Sequence, residues 1–125
     1  WTLKGHLPNH AVLAYYRDRP VDLLINVSES EGVPVSMMEA QSCGVPVIGT
    51  AVGGVPEIVT PESGVLLSPE AQPGEVAEAI TRICDPTSAA HARNYRDGAR
   101  ENWRTRYDAD RNYKDFVATL KGLTT

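Results

Sequence analysis

Two glutamates eight residues apart, Glu31 and Glu39, bracket a segment whose composition suits anion binding. Glu31-Gly32-Val33-Pro34 leads into a helix candidate that runs from Pro34 to about Cys43. The start of a helix presents backbone N–H groups without intrahelical partners and the positive end of a dipole, a ready site for phosphate. Gly32 lacks a Cβ, so backbone there can approach a ligand closely. The candidate donors are the N–H groups of Gly32, Val33, Val35 and Ser36, because Pro34 has none. Carboxylates set against a phosphate would repel it. They suit hydroxyl groups, since an ionised carboxylate accepts several hydrogen bonds, and an acidic residue on a ribose diol recurs in nucleotide sites. Glu39, in the second turn of the helix, leans back toward the helix start. A ligand meeting both glutamates needs hydroxyls on either side of a phosphate bridge, the layout of a nucleoside diphosphate sugar. A plainer reading stands beside this one: acidic residues near a helix start also complement its dipole, and Glu29 fits that role.

These residues need a scaffold, and the chain supplies alternating short apolar runs and amphipathic stretches. Trp1–Lys4 is a strand candidate, followed by a loop at His6–Asn9 in which Asn9 can cap the next helix. That helix spans His10–Arg19 and stops at Pro20. Val21–Val27 is nearly continuously apolar, as in a parallel strand covered on both faces. Gly44 ends the Pro34–Cys43 helix, with Pro at its start and Gly just past its end. Val45–Ile48 and Gly64–Leu67 are further strands, and Pro56–Val59 is a short helical turn. Three helices close the chain. Their stripes are Val76, Ala79, Ile80 and Ile83; then Ala92, Tyr95, Ala99 and Trp103; then Tyr113, Phe116, Val117 and Leu120. Strands alternating with helices predict an α/β fold with a parallel sheet and flanking helices, Rossmann-like in architecture. Ligands in such sheets bind outside the carboxyl ends of the strands, where Glu31 falls.

At 125 residues the chain suits one domain, burying roughly two-thirds of its unfolded surface. A net charge of -4 and few, scattered aromatics give no footprint for nucleic acid. Cys43 and Cys84 fall in apolar helical stretches and lack metal-ligand spacing, which suggests reduced, cytoplasmic thiols. His6 and His10 are separated by Pro8, so one helix cannot present both to a metal, and no metal or other cofactor is expected. No apolar stretch approaches the length of a membrane span, and no charged segment precedes an apolar one as in a secretory leader. The chain opens on Trp1, within a strand candidate, as an excised piece of a longer protein would.

The full run is Glu31-Gly32-Val33-Pro34, Glu39-Ala40, Gly44-Val45-Pro46-Val47-Ile48, Gly53-Gly54-Val55-Pro56-Glu57-Ile58-Val59 and Gly64-Val65-Leu66-Leu67, reaching back to Gly5, Tyr15-Tyr16 and Asp22. It resembles the donor-binding signature of family 4 glycosyltransferases, retaining enzymes with the two-domain GT-B fold. The resemblance covers about Trp1–Ile83 and is most specific over Ser28–Val59. It implies that residues 1–125 are part of a GT-B carboxy-terminal domain, with the last helices over about 86–125. It implies that Glu31 meets hydroxyls of the transferred sugar, that backbone from Gly32 through Val33 and Pro34 to Val35 holds the diphosphate and sugar, and that Glu39 binds the ribose. The loop at His6 and Leu7 would lie against the nucleobase. Gly53 and Gly54 would shape the neighbouring loop, Met37 and Met38 would fill core, and Glu57 would sit at a helix start.

The resemblance also implies partners: a nucleotide-sugar donor, an acceptor of unspecified class (glycan, lipid or small molecule), and an amino-terminal domain that supplies any membrane attachment. In the family, two further βα units precede this region and carry an Arg and a Lys on the departing diphosphate. No position here matches them. In the strand order 3-2-1-4-5-6, Trp1–Lys4 is the third strand with its neighbours missing. One side of the Val21–Val27 strand is then open to a partner strand or a second copy. Two other readings are weighed: a non-catalytic nucleotide-sugar-binding or assembly module of the same fold, and a signal receiver. A receiver needs a phosphorylatable Asp at a strand end, whereas Asp22 precedes its strand.

Overall fold

The computed structural model of the chain describes residues 1–123. Three strands form one parallel sheet in the order β1 (Leu24–Asn26), β2 (Val47–Thr50), β3 (Gly64–Leu67). Six helices complete it: α1 (Asn9–Asp18), α2 (Val35–Ser42), α3 (Val55–Ile58), α4 (Pro73–Ile83), α5 (Ala89–Arg106) and α6 (Ala109–Leu123). The predicted α/β class and every predicted helix are present. The last two positions of the expected 86–125 helical stretch, Thr124 and Thr125, lie outside the described residues.

β2 is the organising strand, buried along its whole length. Successive side chains of a strand point to opposite faces, and β2 uses both. Val47 joins Met37, Ala40, Val55 and Ile58 on one face, and Ile48 joins Leu67, Ala79, Ile83 and Tyr95 on the other. The strand backbones are packed tightly: a Cβ at Gly64 would lie 1.9 Å from the Val47 carbonyl oxygen. α5 packs on both α2 and α4 and binds the two halves polarly. Its buried Asn102 donates to Gln41 Oε1 and to the Ile58 carbonyl, each at 2.8 Å. Gln41 in turn donates to the Ile58 carbonyl and to Ser63 Oγ, each at 3.2 Å. Arg96 reaches back to the Val21 carbonyl at 2.6 Å.

Several expectations are corrected. Trp1–Lys4 is not a strand but exposed coil. A strand takes its hydrogen bonds from a neighbour, and no described strand lies beside this segment. For the same reason Val21–Val27 shortens to Leu24–Asn26, with Ile25 and Val27 exposed rather than covered. Among the described residues β1 pairs only with β2, which leaves its other edge open, as the strand order predicts. The expected α5 stripe is rotated: Asn102 is buried, and Ala92 and Trp103 are half-buried. Cys43 and Cys84 are free thiols at the C-caps of α2 and α4 rather than inside the helices, half-buried against the two core clusters.

Candidate functional site

Because the sheet is parallel, β1, β2 and β3 all end at one edge, and Asn26, Thr50 and Leu67 are its rim. The loop from β1 to α2 carries Glu31, half-buried. Its carboxylate accepts from Ser28 Oγ at 2.7 Å and from Asn26 Nδ2 at 3.0 Å. Both bonds fall on the same carboxylate oxygen. The Ser28 hydroxyl, and after it the Asn26 amide, hold the Glu31 carboxyl below the usual range, because each bond favours the charged form.

Backbone contacts fix the loop that presents this carboxylate. Gly54 N–H donates to the Gly32 carbonyl at 2.6 Å. Gly53 has φ +51, and a Cβ there would lie 1.8 Å from the Glu31 carbonyl oxygen. At Gly54 a Cβ would meet Val33 Cγ2 at 2.7 Å. Only a pair of glycines lets the loop after β2 lie this close, which is the shaping role expected of Gly53 and Gly54. Thr50 Oγ1 adds a bond to the Ser28 carbonyl at 2.6 Å. With the Gly32 carbonyl turned toward Gly54, planarity of the trans peptide turns the Val33 N–H away from it. Gly32 itself faces open space, with nothing within 4 Å of a Cβ placed there. Pro34, buried, precedes α2, and no side chain caps this helix start. Met37 N–H closes on the Pro34 carbonyl at 3.2 Å, while Val33 and Val35 are 51% and 62% exposed beside it. Met37 is fully buried and Met38 half-buried, as core filling requires.

Glu39, half-buried in the second turn of α2, receives a hydrogen bond from Asn9 Nδ2. Asn9 therefore does not cap α1: the N-cap position is Pro8, and the Asn9 side chain turns to the carboxylate instead. This bond joins Glu39 to the first residue of α1, and the His6–Leu7 loop just before it is exposed. Glu39 and α1 therefore form one patch. Tyr16 is also part of it: burial, and then the Glu39 charge, raise its phenol above the ordinary range.

A cleft of about 380 Å³, which shares Tyr16 with that patch, lies among α1, α2 and α5 and is lined also by Arg17, Cys43, Arg100, Trp103 and Arg104. Its guanidinium groups are already engaged. Arg17 pairs with Asp18 at 2.9 Å, Arg104 with Glu101 at 2.8 Å, and Arg100 donates to the Cys43 carbonyl at 3.3 Å. Among the described residues no group of three His, Cys, Asp or Glu side chains could hold a metal ion, and no helix is long and apolar enough to cross a membrane.

The family model described as Glycosyl transferases group 1 matches residues 1–102. The chain belongs to that family. TuaC of Bacillus subtilis, whose name ties it to teichuronic acid biosynthesis, is 36% identical over 123 residues. That match takes in 90% of this chain and 29% of TuaC. A D-inositol 3-phosphate glycosyltransferase of Saccharomonospora viridis is 32% identical over 108 residues, 83% of this chain and 25% of the relative. Among solved structures, sucrose-phosphate synthase of Thermosynechococcus elongatus superposes with a TM-score of 0.81 at 27% identity, covering 98% of this chain and 30% of that one. The C-terminal domain of LpcC, a glycosyl transferase group 1 family protein of Francisella tularensis, has a TM-score of 0.71 at 20% identity. It covers 86% of this chain and 53% of that one, and it shares the fold. This member of the glycosyl transferases group 1 family therefore spans a minor part of its longer relatives, with the architecture of a GT-B carboxy-terminal domain.

Sequence reasoning passed over Asn26, Ser28 and Thr50, and it gave Asn9 a different task. Asn26 offered a signal. It is a polar residue inside the apolar run Leu23-Leu24-Ile25-Asn26-Val27, and a strand tolerates one there when its side chain has a partner. Nothing local pointed to Asn9 as a partner for Glu39, because 30 residues separate them.

Proposed function

We propose that this chain is the donor-binding part of a retaining glycosyltransferase. It would hold a nucleoside diphosphate sugar while the larger protein supplies the acceptor side and the groups that assist departure of the diphosphate. The observation that carries this is the flanking of one uncapped helix start by two hydrogen-bonded carboxylates, Glu31 before it and Glu39 one turn in. The diphosphate lies against the backbone from Gly32 to Val35, where helix-end N–H groups and the dipole favour negative charge. Glu39 accepts from the ribose hydroxyls and Glu31 from hydroxyls of the sugar to be transferred. The exposed loop at His6 and Leu7 lies on the base side, tied to Glu39 through Asn9. The acceptor is a glycan, a lipid or a small molecule met by the larger protein.

The test is calorimetric titration of the full-length protein with UDP, GDP and ADP. The nucleotide that binds wild type should bind Glu39→Ala about ten-fold more weakly, the scale of losing hydrogen bonds to a charged acceptor. Unchanged affinity in Glu39→Ala would remove the ribose role.

A further inference from the structure

The Glu31 carboxylate is not simply presented to solvent. A long side chain on a glycine-flanked loop would otherwise sample several rotamers and lose that freedom when a ligand bound. Here two side-chain donors converge on a single oxygen, Ser28 Oγ at 2.7 Å and Asn26 Nδ2 at 3.0 Å. The other oxygen is left to accept from a ligand. The donors themselves stand on the rigid part of the molecule. Asn26 is the last residue of β1 and is paired in register with Gly49 of β2. The Ser28 carbonyl is pinned by Thr50 Oγ1 at 2.6 Å, and Thr50 is buried at the end of β2. The Ser28 hydroxyl also lies 2.5 Å from Asn26 Oδ1, so its single hydrogen is shared between the two acceptors and the three side chains form a closed cluster.

We infer that Asn26 and Ser28 are positioning residues that fix Glu31 for the sugar moiety of the donor, so that recognition of the sugar is set by the last residue of β1 and the start of the loop that follows it. This rests on the donor-site reading above and adds to it the residues that give Glu31 its aim. A fixed acceptor rewards a hydroxyl in one place and fails to reward it elsewhere, which is how a polar site discriminates between closely related sugars. Ser28 and Asn26 act through Glu31 and touch no reacting atom.

The experiment compares matched ligands on the full-length protein: UDP with UDP-glucose, GDP with GDP-mannose, ADP with ADP-glucose. Ser28→Ala should leave affinity for the bare nucleotide unchanged and weaken the sugar-bearing partner by about five- to ten-fold. Ser28→Thr, which keeps the hydroxyl, should restore it. Equal weakening of both ligands, or of neither, overturns the inference. Glu31→Ala separates the two levels. If it does not affect the sugar-bearing ligand, the donor-site reading fails and the inference falls with it. If it does and Ser28→Ala does not, the inference alone fails.

A second readout needs no ligand: carboxyl-carbon NMR of Glu31 against pH. Its carboxyl lies below the ordinary range because these donors favour the charged form. The charged form is therefore present above the depressed value and lost as pH falls through it. Ser28→Ala should move that midpoint upward, and the sugar preference should then disappear at a higher pH than in wild type. A midpoint that stays in place would show that Ser28 does not hold the charge.

Discussion

The two ends of the chain present the same problem and resolve it differently. Trp1–Lys4 and α6 both carry apolar side chains that no described element covers. Trp1 and Leu3 are exposed at one end, and Tyr113, Phe116, Val117 and Leu120 at the other. The amino-terminal segment is coil, whereas the carboxy-terminal one is a helix of 15 residues. A helix closes its hydrogen bonds within itself, so it can form before its apolar stripe finds a neighbour. A strand has no such recourse. Between these ends lies a body centred on β2, which is covered on both faces, and Glu31 and Glu39 both stand on that body.

Substitutions can test how sharply body and ends differ. The largest effect is expected at Ile48, fully buried in the central strand. Ile48→Ala should lower unfolding free energy by about 2–5 kcal/mol, read from urea denaturation. Asn102→Ala comes next. It removes the buried amide that joins α5 to α2 and leaves Gln41 Oε1 without that donor. A loss of about 1–3 kcal/mol is expected, and a loss below about 0.5 kcal/mol would mean that the polar network adds nothing beyond packing. Least is expected from Leu120→Ala on α6, 47% exposed. It should stay within about 0.5 kcal/mol in the chain by itself. A change as large as that at Ile48 would show that the α6 stripe is packed in solution, and the contrast between body and ends would collapse.

The same contrast explains what could be read from the sequence. Helices α2 and α4 were visible because their start and stop signals are local, with Pro34 and Gly44 for one and the Val76–Ile83 stripe for the other. β2 and β3 were visible as short apolar runs set between helices. The failure at Trp1–Lys4 is a failure of context: its composition suits a strand, but composition cannot supply a neighbour. At the site, Glu31, Gly32 and Glu39 could be named because they sit at one helix start, a local arrangement. Their partners were harder to find. Ser28 and Asn26 are near Glu31 in sequence, but they matter only because the chain turns back at the end of β1. Asn9 reaches Glu39 across a tertiary contact that has no periodicity to betray it.

Arg96 and Asn102 fasten segments far behind them in the chain, with Arg96 bonded to the Val21 carbonyl 75 residues away and Asn102 to Gln41 61 residues away. The consequence concerns time. In synthesis Glu31 and Glu39 precede residue 102, yet the helix carrying Glu39 receives its bonds from α5 only once residue 102 has joined the fold. Contacts of such separation require large loops to close and slow the final step of folding. A pulse of amide exchange during refolding should therefore find α2 protected late, together with α5, although α2 precedes α5 in the chain.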